Sequence, residues 1–81
     1  MSEERDRIAA ELERLFQELI AHQHKKVLAE AQRRDPKLTA DDIQQPHDFP
    51  ALAQDPEWNY EDGVLAGYAA AQMAVRAHLR R

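Results

Sequence analysis

Apolar residues recur at helical spacing through the first third of the chain: Ile8, Leu12, Leu15, Phe16, Leu19 and Leu28, with Ile20 and Val27 beside them. No glycine or proline interrupts residues 3–34. The pattern therefore predicts one helix over about 3–34, roughly 45 Å long at ~1.5 Å per residue. At ~100° per residue the apolar positions drift. Ile8, Leu12, Leu15 and Leu19 centre one stripe, Val27, Leu28 and Ala31 are rotated away from it, and Gln23 lies on the seam between them. The two halves of this helix are expected to pack on different neighbours.

A second helical pattern occupies the C-terminal run, about 57–79. Asp55-Pro56 offers an N-cap followed by proline at the first helical position, and Asn59 with Asp62 offers a later start. Here Gly63, Gly67, Ala70, Ala74 and Ala77 fall on one face, while Val64, Leu65, Tyr68, Val75 and Leu79 form a bulkier arc opposite. Only a strip with Asp62, Arg76, Arg80 and Gln72 reads as solvent-facing. A helix apolar nearly all round must be covered on more than one side. Two glycines in a helix interior each cost about 0.8–1 kcal/mol relative to alanine. Close helix approach along a small-residue ridge would offset that cost, so this ridge is the expected packing or dimer face.

All four prolines lie between the two helices, in DPKLTADDIQQPHDFPALAQDP. Thr39 and Asp42 have the spacing of a capping box, which predicts a helical turn over 40–45, and Asp48-Phe49-Pro50 a second turn. A connection this long needs structure of its own. Ile43, Phe49, Leu52 and Trp58 are its expected anchors on the helices. No stretch alternates with period two, so no strand is predicted. The reading is a single all-α domain over 1–81: an antiparallel helical hairpin with a structured proline-rich connector, pairing into a four-helix dimer.

Charge is ordered along the chain: −3 over residues 1–21, +3 over 22–34, −7 over 35–62 and +3 over 63–81, for a net charge of −4. Each long helix is acidic at its N-terminal end and basic at its C-terminal end, which complements the helix dipole. In a hairpin, Lys25, Lys26, Arg33 and Arg34 would approach Glu57, Glu61 and Asp62, and Arg76, Arg80 and Arg81 the acidic start. The acidic connector lacks the alternating acids and turn glycine of a calcium loop, so it reads as a solvated loop. No basic stripe interleaved with aromatics speaks for nucleic acid. No apolar run is long enough to span a bilayer, and the charged N-terminus lacks the apolar core of a secretory signal. With no cysteine, disulfides and thiolate zinc sites are closed, and a reduced cytoplasmic setting is compatible.

Catalytic chemistry finds few footholds. Ser2 is the only serine and sits at the terminus, Thr39 serves as a cap, and no glycine precedes Gly63 to form a phosphate loop. His22 and His24, two apart on a helix, point away from each other and cannot share an ion within one chain. The run RDRIAAELERLFQELIAHQHKKVLAEAQ has a cadence similar to the first helix of the small helical chorismate mutases, which are intertwined all-α dimers. That resemblance implies arginines and a lysine directed into a bundle. This chain has no basic residue between Lys37 and Arg76, so no catalytic residue carries over.

The function expected is non-catalytic: a small helical interaction or regulatory module acting as a homodimer, without a cofactor, whose recognition surface includes the connector. Phe49, Trp58 and Tyr60 are its candidate anchors. A different class is a small-ligand binder or minor enzyme subunit with a pocket between the helices, using His22, Gln23, Tyr68 and Gln72. A third is a metal-binding bundle built from histidines across a dimer.

Overall fold

The computed structural model describes residues 2–80. Its first helix, α1, spans Glu3–Arg34. Ser2, noted in the sequence only as a terminal serine, caps it: the side chain accepts from the backbone N–H of Arg5 at 3.0 Å, satisfying one of the first-turn donors. After α1 the chain makes two 3-10 turns, Asp42–Gln44 and Pro46–Asp48. A single helical turn, α2, follows at Pro50–Ala53, and the last helix, α3, spans Pro56–Leu79. The fold is all-helical, with α1 packed along α3.

The local signals in the connector act as the sequence suggests. Thr39 and Asp42 form the reciprocal box: the Thr39 backbone N–H donates to Asp42 Oδ2 (2.9 Å) and the Asp42 N–H to Thr39 Oγ1 (3.3 Å). Asp55 caps α3 by accepting from the Trp58 N–H at 2.8 Å, with Pro56 in the first turn. The earlier of the two candidate starts is therefore the one used.

Every buried residue among those described lies between Gln23 and Trp58. Val27, Ala31, Leu38, Ile43, Leu52 and Trp58 form the core, with Leu28, Phe49 and Leu65 packed against it. The connector folds back over the C-terminal half of α1 and the start of α3, which is how a chain this short closes a core. Beyond that end the two helices run on as a rod, and the molecule measures 50 × 18 × 18 Å. Its radius of gyration is 15.9 Å, against about 12 Å for a compact globule of this length.

Candidate interaction surfaces

The closed end is locked electrostatically. Arg34, at the last turn of α1, reaches Asp55 through two parallel bonds, Nε to Oδ2 and the second guanidinium nitrogen to Oδ1, both 2.8 Å. The same side chain bonds Glu30 at 2.7 Å and reaches Glu57 at 3.3 Å. The Arg34 fork holds the Asp55 carboxyl below its ordinary range, helped by the Trp58 N–H. It lowers Glu30 in the same way. Nearby, the buried Gln23 donates from Nε2 to the Glu61 backbone carbonyl and to its Oε1, each at 2.9 Å. Lys26 completes this cluster, 3.7 Å from Glu61. Asp62 differs: burial alone pushes its carboxyl up, and among the described residues it has no ion-pair or hydrogen-bond partner.

At the open end, Arg76 Nε donates to both Glu13 oxygens (3.1 and 3.0 Å), and its terminal nitrogen also contacts Glu13. Arg5 donates to the Leu79 carbonyl at 3.3 Å. The expected pairing of the basic C-terminus with the acidic start is thus carried by Arg76, while Arg81 lies outside the described residues. No described residue of this half is buried: Ile8 is 44 % exposed, Leu15 50 % and Met73 67 %.

The small-residue ridge lies on the far side of α3 from α1. Gly63, Gly67, Ala70, Ala74 and Ala77 are all exposed, and a Cβ added at either glycine would meet nothing within 4 Å. It is one edge of the bulkier arc, Leu65 and Leu79, that faces α1, and Tyr68 and Val75 beside it are half-buried. Gln72 and Asp62, read as solvent-facing, are half-buried as well.

The aromatic anchors separate. Trp58 is 1 % exposed and belongs to the core, its indole N–H without an acceptor. Phe49 is half-buried and lines a groove of about 270 Å³ with Arg34, Asp35, Leu38, Asp48 and Pro50. Tyr60 is 71 % exposed, beside a second concavity of about 340 Å³ bordered by Glu30, Pro56, Glu57 and Glu61.

The residues proposed for an interhelical pocket do not converge. His22 is exposed, Gln23 is buried with its Nε2 bonded to Glu61, and Tyr68 and Gln72 lie further along α3. None of the four lines these concavities or the third, at Met73, Arg76, Ala77 and Arg80. Among the described residues no group of three or more His, Asp or Glu could hold a metal ion. No described helix is long and apolar enough to cross a membrane.

The sequence places Ile8 and Leu15 at the centre of an apolar stripe, but the structure leaves both exposed. The signal was present in the drift of the α1 stripe, but which stripe α3 would take depends on the connector. No protein-family model, curated protein or solved structure matches the chain.

Proposed function

We propose that this protein is a non-catalytic helical interaction module that works as a homo-oligomer, in a cytoplasmic setting. The observation that carries the reading is the unfinished open half. The chain exposes 6074 Å², whereas a monomer of 9.3 kDa is expected to expose roughly 5,000 Å² from the scaling of surface with mass. The excess, about 1,000 Å², is close to the ~800 Å² that each partner buries in an ordinary stable interface. Recognition of any other protein is assigned to the connector and the adjoining first turns of α3, where the Phe49 groove and the exposed Tyr60 offer aromatic surface.

Light scattering on the untagged protein after gel filtration tests the self-association. The expected mass is about twice 9.3 kDa at micromolar concentration. A mass equal to the single chain at every concentration up to the millimolar range would remove the proposal.

A further inference from the structure

In the open half, an apolar stripe of α1 and one of α3 share a flank, while Met73, 67 % exposed, and the small-residue ridge lie elsewhere on α3. On α1, Phe16, Ile20, Gln23 and Val27 face α3 and are half-buried or buried. The Ile8, Leu12, Leu15 and Leu19 stripe, spaced 4-3-4, is rotated from that line by about 80° at ~100° per residue. On α3, Trp58, Leu65, Gln72 and Leu79 face α1. A second 4-3-4 stripe, Val64, Tyr68, Ala71 and Val75, is rotated from that line by about 80° in the same sense.

In antiparallel right-handed helices, equal rotations in the same sense lead to the same side of the pair. Both stripes therefore share one flank. The other flank carries Glu13, Gln17, Asp62 and Arg76, and the Glu13–Arg76 ion pair crosses it. The hairpin thus has one apolar and one largely polar side.

We propose that a second copy of this chain covers the apolar flank, in an antiparallel four-helix bundle whose two-fold axis passes between Leu12 and Leu15. This rests on the self-association proposed above and specifies its face and direction. Two observations select the occupant. The angle of about 80° between the two apolar lines of each helix is close to the right angle at which a helix in a square bundle meets its two neighbours. The excess exposed surface is what one such copy would remove.

Charge selects the direction. Residues 3–13 carry five acids and two arginines, and residues 14–26 carry three bases and one acid. Antiparallel α1 helices set the acidic segment of each copy against the basic segment of the other. A parallel pair would oppose like segments and bring the two −7 connectors together. The small-residue ridge stays outside this bundle.

The chain has no cysteine, so single-cysteine variants and a short bismaleimide read the arrangement directly. Leu15→Cys is expected to cross-link efficiently to its own copy. Ile8→Cys should not, because its equivalent lies about 16 Å away along the axis at ~1.5 Å per residue. Gln17→Cys, on the polar flank, and Ala70→Cys, on the ridge, should stay single. Leu15→Glu should reduce the scattering mass to that of one chain while the helical circular dichroism persists. Cross-linking through Ala70 in place of Leu15, or through Ile8 and Leu15 alike, in a protein that is dimeric by mass would overturn the face or the direction and leave self-association standing. A single-chain mass for the unmodified protein would instead remove the self-association itself.

Discussion

Arg34 and Asp55 bind one another through two parallel 2.8 Å bonds, and the same Asp55 carboxylate caps α3 at the Trp58 N–H. The end of one long helix is thereby fixed to the beginning of the other, with the connector held between them. Because Arg34 lowers the Asp55 and Glu30 carboxyls, folding favours their ionised forms. That contribution is complete above the ordinary carboxylate range and is lost as pH falls through and below it. Asp55→Asn should flatten this acid limb and lower the melting temperature near neutrality by several degrees. A pH series of thermal melts from pH 7 to 2, run on both proteins, checks it. Parallel acid limbs would show that the clasp contributes nothing.

Asp62 has the opposite sign. Its carboxyl is raised by burial, so the stability linked to its protonated form is present below the ordinary pKa and disappears as pH rises through the shifted one. Asp62→Asn should therefore raise the melting temperature at pH 7 and make little difference at pH 3. A lower melting temperature at pH 7 would mean that the charge has a favourable partner.

Gly63 and Gly67 sit in regular helix, with negative φ and open space where a Cβ would stand. Alanine at either position should stabilise by about 0.8–1 kcal/mol, which for a domain of this size is a rise of roughly 4–8 °C. Thermal melts of the two single variants and the double decide it. A fall in the melting temperature would show that a neighbour lies against the ridge in solution, contrary to its place outside the bundle.

These glycines also mark where sequence reasoning reaches its limit. Periodicity identified two apolar faces on α3 and two on α1, because burial leaves a 3.6-residue imprint. It does not say which face meets which neighbour. That choice belongs to the connector, whose Leu38, Ile43 and Leu52 enter the core and fix the rotation of both helices at one end. Local chemistry was the more legible part: the Thr39–Asp42 box and the Asp55-Pro56 start are short-range and need no tertiary partner. Ser2 was missed although it has the same capping chemistry, because a terminal position invites the assumption of fraying. Trp58 belongs to the core since Asp55 starts α3 beside the folded connector, which turns the indole inward.

The core end should respond to substitution by volume. Leu52 is 2 % exposed, and Leu52→Ala should cost about 2–5 kcal/mol through lost burial and the cavity left behind. Trp58→Phe removes as many side-chain heavy atoms, yet it also deletes a buried N–H without an acceptor. The relief of an unsatisfied donor, about 1–3 kcal/mol, offsets much of the packing loss. Urea titrations should rank Leu52→Ala as the more damaging change. The reverse order would mean that the indole N–H is satisfied in solution.

Because every buried residue among those described lies between Gln23 and Trp58, the two halves of the rod should differ in stability. Amide protection follows burial and local packing, and regions with few buried contacts open at low free energy. In one chain alone, residues 5–18 and 68–79 are held by half-buried contacts, the Glu13–Arg76 pair and the bonds of Arg5, with no buried residue among them. Their amides should exchange well before those of 25–34 and 58–65. A second copy on the apolar flank adds contacts to the weak half and few to the strong one. Hydrogen exchange measured over a hundredfold range of protein concentration should therefore show protection rising with concentration at 5–18 and 68–79, and staying level at 25–34. Local opening that ignores concentration would leave the open half without a partner.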